Sequence, residues 1–424
     1  MVYYILKYGM KIAFRVYYRK IYFTNSHNLP KTGPVLMAVN HPTAFTEPAI
    51  IGVLFKRDIH FILKGNIFST PFLKWFLHEM KMIPIFRLRD GGGFSSLRQN
   101  TETMETVNRK LTEGEIILIL AEGVRKNEKR VRPIQKGAAR MAFAYLEKTK
   151  RDDLAIINVG VNYTEATKYR SDLMIDVAPP LWLKDYTALH EEHDRKAITK
   201  LTKDIGEGLL ERVIHVNQEA DDALVNHLLD FNRNNRKENV LPIVEIRNKK
   251  PLQEELAIAQ KVNELDDAKK ENLRQNVANY LKKLKDLKLD DFGVARPEAA
   301  NFSRFLFILL GAIPALLGFL INCTPVLYAK KFSKKIAKMP EDYASYRAPI
   351  GLIFYFCYWL LLLIPLAIFW GWIGVEICSI LPFWGYFYIV WKGKMEGWKW
   401  ARKFKGLDKN EQEIILKMRK DVLS

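Results

Sequence analysis

The stretch VLMAVNHPTAFTEP, residues 35–48, decides the fold. VLMAVN has apolar residues at consecutive positions, the pattern of a strand covered on both faces. It closes on Asn40 and His41, and Pro42 then leads into a helix expected near 43–55. A histidine at the C-terminal end of a strand, with proline starting the next helix, stands at the sheet edge where α/β proteins build their sites. Glu47 follows His41 after five intervening residues. Residues six apart do not share a helix face, so the two meet only if the chain turns at Pro42 before the helix begins.

Outward from this stretch the same alternation repeats. HFILK (60–64), MIPIF (82–86), EIILIL (115–120), LAIINVGVNY (154–163) and LMIDVA (173–178) are short, rich in Ile and Val, and read as strands. Helices are expected near 70–80, 95–113 and 135–149 between them. Strands alternating with helices predict an α/β fold, a mixed, largely parallel sheet flanked by helices. The glycines at 91–93 mark a loop, and no GxxxxGK[ST] follows to make it a phosphate cradle.

Residues 186–300 are charged, with apolar positions three and four apart, as in amphipathic helices. HEEHD at 190–194 does not fit the HExxH spacing and has no third ligand, so no metal site is expected. Cys323, Cys357 and Cys378 sit in apolar stretches without a CxxC pair, so neither a disulfide framework nor a thiolate metal site is indicated.

The two ends are different in kind. Tyr3–Phe23 interleaves aromatics with Lys7, Lys11, Arg15 and Arg19 at four-residue spacing, which suits a helix lying in a lipid headgroup layer. A surface helix packed on its own domain is the competing reading. Toward the C-terminus, 302–328 and 352–390 are nearly uncharged. A membrane span takes about 20 apolar residues, so 352–390 is long enough for two spans in a hairpin. Pro314 with Gly311 and Gly318 argues against a straight helix over 305–328. Basic clusters at Lys330–Lys338 and Lys392–Lys403 flank the hairpin, and the positive-inside rule puts both flanks in the cytoplasm. For the catalytic part to face the cytoplasm as well, 305–328 must be re-entrant or interfacial. The expected organisation is an interfacial amphipathic helix (1–25), a catalytic domain (26–185), a charged helical extension (186–300), membrane-embedded helical hairpins (301–395) and a basic tail (396–424). The formal charge of +19 implies an anionic partner. The apolar segments favour lipid over nucleic acid, for which no motif is present.

Four ordered blocks resemble the glycerolipid acyltransferase family, the glycerol-phosphate and lysophosphatidate acyltransferases. Asn40, His41 and Glu47 match the first block, and IPIFR with Arg87 the second. LAEGVR, with Glu122, Gly123 and Arg125, matches the third, and NVGVNY (158–163) the fourth. The resemblance covers about residues 30–185. It departs from the family pattern in the five-residue gap and Glu at 47, and in Ala121, Val124 and Gly160.

The resemblance implies acyl transfer from a thioester, acyl-CoA or acyl-carrier protein, to a glycerol-phosphate hydroxyl, with no other cofactor. His41 would be the general base, since imidazole exchanges protons near neutral pH. Glu47 would orient its ring, the logic of a Ser-His-Asp triad without the serine. Arg87 and Arg125 would grip the phosphate, because guanidinium forks match its oxygens in pairs. Glu122 would bind an acceptor hydroxyl or orient an arginine, while Asn40, Gly123 and Lys64 complete the substrate contacts. Two alternatives remain open at this level: another lysolipid acceptor, or a non-catalytic membrane scaffold that keeps the fold.

Overall fold

The computed structural model describes residues 2–86, 93–237 and 239–423. The chain forms two compact units. The first is Met1–His215 with Pro242–Leu252 and Ile336–Pro349, and the second is Val216–Leu241 with Gln253–Lys335 and Ile350–Ser424.

The first unit opens with helix α1 (Val2–Tyr17), β1 (Lys20–Thr24), β2 (Val35–Val39) and α2 (Thr46–Leu54). β3 (Ile59–Lys64), α3 (Pro71–Glu79), β4 (Met82–Ile85), α4 (Gly93–Thr112) and β5 (Ile116–Leu120) follow. α5 (Gly137–Thr149), β6 (Ala155–Tyr163), β7 (Asp172–Val177), β8 (Leu181–Trp182), α6 (Lys184–Leu210) and the short β9 (Val244–Glu245) complete it. The strands make one sheet ordered β4-β3-β5-β2-β6-β7-β1-β9, with β8 also paired to β6. β4, β3, β5, β2 and β6 are mutually parallel, and the direction reverses once, between β6 and β7. This is the mixed, largely parallel sheet that the strand pattern predicts.

Consecutive apolar residues in β2 are explained by two cores. Val35, Met37 and Val39 enter one with Ile50, Ile51 and Val53 of α2 and Phe14 and Tyr17 of α1. Leu36 and Ala38 enter the other with Val107 of α4, Ala138 and Phe143 of α5, and Leu201 and Ile205 of α6. Successive side chains of a strand point to opposite faces, so a strand roofed by helices on both sides has no polar position to spare. The strand ends differ: β2, β5, β6, β3 and β4 all finish at one edge of the sheet, with Val39 level with Leu120 and Lys64 level with Ile85.

One expectation is corrected at the N-terminus. The helix predicted over 1–25 stops at Tyr17, and Lys20–Thr24 is a fully buried strand beside β7. KIYFT is β-branched and aromatic, which favours a strand. Lys20 loses its solvent yet is satisfied by Glu245 at 2.9 Å and the Pro242 carbonyl, and Arg19 forks onto Asp172. α1 itself packs on the body through Tyr3, Phe14 and Tyr17 while Tyr4, Ile5, Tyr8, Ile12 and Val16 remain exposed.

The second unit is helical, with α7 (Asp222–Asn234), most of α8 (Lys250–Glu264), α9 (Asp267–Asp286), α10 (Asp291–Ala295), α11 (Phe302–Ile336), α12 (Pro340–Lys405) from Ile350 onward, and α13 (Lys409–Leu423). Its buried charges close on one another: Asp221 takes Lys270 and Arg274, and Asp291 takes Arg419, Tyr280 and Asn234. α11 and α12 are long and apolar enough to cross a membrane. α11 runs unbroken through Pro314 and Pro325, where the sequence argued against a straight helix. α12 breaks at Gly371, whose φ of 57° only glycine takes up cheaply. The arms either side meet as a hairpin, with Trp359 Nε1 donating to the Cys378 carbonyl at 3.1 Å. Phe369 and Trp372 at the tip are 80% and 81% exposed.

Candidate active site

The sequence requires a turn between His41 and Glu47, and the structure supplies it. α2 begins at Thr46 rather than near residue 43, so residues 42–45 bend the chain back and Glu47 lies in the first helical turn. His41 Nδ1 then stands 3.4 Å from Glu47 Oε2. That exceeds the roughly 2.7–3.2 Å of a well-made bond, a looseness common in catalytic pairs before substrate arrives.

Glu47 is fully buried. Burying a carboxylate costs several kcal/mol unless donors meet it. Its Oε1 accepts from the Thr43 hydroxyl at 2.8 Å and from the Tyr163 phenol at 2.9 Å. Burial, and then the Glu47 charge, push the Tyr163 phenol well above its ordinary range, so it stays a neutral donor. With Oε1 taken, Oε2 is left to the ring. An acceptor at Nδ1 fixes the proton there and leaves the Nε2 lone pair available.

Neighbouring groups hold the histidine's backbone. Asn40 spends both ends of its amide on Val161 of β6, donating to its carbonyl at 2.9 Å and accepting from its N–H at 2.8 Å. The structure therefore gives Asn40 an anchoring role where the sequence suggested a substrate contact. Glu122 likewise accepts from His41 N at 3.0 Å and from Arg132 N at 3.1 Å, tying the loop after β5 to the loop after β2. Burial raises the Glu122 carboxyl, opposed by those two N–H donors. Gly123 turns the chain there with φ of 68°.

The loop after β5 is cationic. Arg125 pairs with Asp342 at 3.0 Å, from the segment 336–349. Arg132 and Lys126 converge on Glu128 at 2.6 and 2.9 Å. Burial alone would raise the Glu128 carboxyl, but these two cations hold it below its ordinary range. Lys64, exposed at the end of β3, borders the same sheet edge. Arg87 lies outside the described residues.

Thr43, Tyr163, Asp342 and Ser345 were not singled out from sequence. Thr43 and Tyr163 lie inside the first and fourth blocks, where their position could have flagged them. Asp342 and Ser345 come from some 300 residues away with no motif around them. Elsewhere, Glu147, His190 and Asp194 draw together, but the carboxylates lie at opposite ring nitrogens, each 3.2 Å away. One imidazole cannot turn both nitrogens to one ion. A cavity of about 500 Å³ lined by Tyr4, Lys7, Lys11, Arg57 and Asp58 opens where β3 and β5 begin, at the sheet edge away from His41.

Residues 20–161 match the protein-family model described as Acyltransferase. Glycerol-3-phosphate O-acyltransferase 2 of Saccharomyces cerevisiae is 24% identical over 186 residues, which are 42% of this chain and span only 24% of that protein. Among solved structures, the 1-acyl-sn-glycerophosphate (LPA) acyltransferase PlsC from Thermotoga maritima is similar at 18% identity, covering 48% of this chain and 79% of that one with a TM-score of 0.35.

Proposed function

We propose, from the match of residues 20–161 to the Acyltransferase family model, that this chain is a membrane-bound O-acyltransferase of phospholipid synthesis. It moves a fatty acyl group from an acyl thioester, of CoA or a carrier protein, to the hydroxyl of glycerol 3-phosphate or a lysophosphatidate. The observation that carries this reading is the placement of Glu47, with Oε1 held by Thr43 and Tyr163 and Oε2 turned to His41 Nδ1.

In this reaction His41 Nε2 takes the proton of the acceptor hydroxyl as its oxygen bonds to the thioester carbonyl carbon. Glu47 stabilises the imidazolium that results. The tetrahedral intermediate expels the thiolate, which recovers the proton from the ring. A thiol of ordinary pKa about 8.5 leaves without strong acid assistance, so one base suffices. General-base help is worth about 10²–10⁴ in rate.

The cations of the loop after β5, Arg125 above all, suit the acceptor's phosphate. Arg125 reaches a phosphate by giving up Asp342. For the acyl chain, each buried CH₂ is worth roughly 0.8 kcal/mol, so long chains stay in or beside a bilayer. Lipid around α11 and α12 accounts for exposed side chains such as Ile368, Phe369 and Trp372, which water would not tolerate in such number. The lysines within the last turns of α11 and of α12 support a cytoplasmic orientation of the catalytic unit. Free-thiol release from acyl-CoA, measured with and without glycerol 3-phosphate and across an acceptor panel, tests the reaction. Release that no acceptor stimulates contradicts it. Protease cleavage of residues 230–300 in inside-out vesicles tests the orientation, and full protection reverses it.

A further inference from the structure

Glu47 is held by a chain of hydroxyls that passes outside the four family-like blocks. Thr43 Oγ1 is 2.8 Å from Glu47 Oε1, Ser345 Oγ is 3.2 Å from Thr43 Oγ1, and Thr46 Oγ1 is 2.8 Å from Ser345 Oγ. All four residues are buried, none more than 2% exposed. Each hydroxyl has a single proton to give, and a carboxylate has none. Thr43 must therefore donate to Glu47, Ser345 to Thr43, and Thr46 to Ser345. Ser345 Oγ also accepts from Phe45 N at 3.2 Å, which pins the bend between His41 and Glu47.

Ser345 belongs to the segment 336–349, which is fastened to the first unit at several points. Asp342 binds Arg125, Tyr346 meets Phe45 edge-on at 5.3 Å, Arg347 covers Tyr169 at 5.1 Å, and Ala348 enters the core. We infer that Ser345 is a positioning residue of the acyl-transfer site. Through Thr43 it orients Glu47 so that Oε2, and not Oε1, serves His41. The catalytic centre is then incomplete without a strap that lies some 300 residues beyond His41.

This rests on the acyl-transfer reading, and the test keeps the two apart. In the full-length protein, Ser345→Ala lowers kcat about five- to tenfold, what the loss of one ordinary hydrogen bond gives. KM for acceptor and donor stays put, and the acid-side fall of kcat/KM moves to higher pH as a less neutralised Glu47 holds the imidazolium more tightly. Thr43→Val has a similar effect, and the double variant is no worse than Thr43→Val alone, because both substitutions cut one chain. If Ser345→Ala does not fold, Ser345→Cys replaces it, keeping the shape with a weak donor. Additive losses, an unmoved pH profile or an unchanged kcat each overturn the assignment of Ser345. His41→Ala as active as wild type overturns instead the reaction on which it rests.

Discussion

The loop after β2 and the loop after β5 meet at one sheet edge, yet they treat charge in opposite ways. At the His41 ring the Glu47 carboxylate is sealed from water and given two hydroxyl donors on one oxygen, so its direction is fixed. Around Arg125 the guanidinium is 35% exposed and its partner Asp342 arrives from a distant part of the chain. A proton-transfer device needs its geometry settled before substrate binds. An anion site needs its cation free to exchange one anion for another. On the proposed reading, the first loop carries the chemistry and the second is an exchangeable grip.

The contrast predicts effects of different size and kind. Glu47→Gln turns an amide N–H toward Nδ1, forces the proton to Nε2 and removes the base, so kcat falls by about 10²–10⁴ with acceptor KM little changed. A large KM change with intact kcat would show Glu47 to be part of the grip. Arg125→Ala, measured by steady-state kinetics, raises acceptor KM about 10- to 100-fold, the range for losing a hydrogen bond to a charged group. The increase should shrink for an acceptor lacking phosphate. Tyr163→Phe removes one of two donors to Oε1 and lowers kcat about five- to tenfold, while a fall in KM without loss of kcat would break the distinction. Asp342→Asn weakens the competing anion and lowers acceptor KM by a few-fold, on the order of one ion pair whose cation is partly exposed. A rise in KM would mean that Asp342 orients Arg125 rather than competing for it.

How much of this could be read from residues alone follows from the range of each interaction. β2, β5 and β6 were legible because burial on both faces writes itself into consecutive apolar positions. β1 was hidden because it opens on Lys20, whose burial is made possible by Glu245 and the Pro242 carbonyl, more than 200 residues away. His41 and Glu47 were legible as a pair, but the bend that joins them starts the helix three residues later than the expected 43. Asn40 and Glu122 looked like substrate ligands, and the structure spends their polar atoms on Val161, His41 and Arg132 backbone. Local pattern cannot reveal which backbone amide will come across the sheet. The strap is the extreme case: Asp342 and Ser345 precede an apolar run in a stretch with no motif, and only the fold brings them to Arg125 and Thr43.

The central claim is that His41, directed by Glu47, deprotonates the acceptor. Its most direct test follows labelled acyl-CoA into lipid with glycerol 3-phosphate, comparing wild type with His41→Ala at equal folded concentration. The account predicts acylated glycerol phosphate from wild type and a loss of about 10²–10⁴ in the variant. Equal product from both proteins would contradict it.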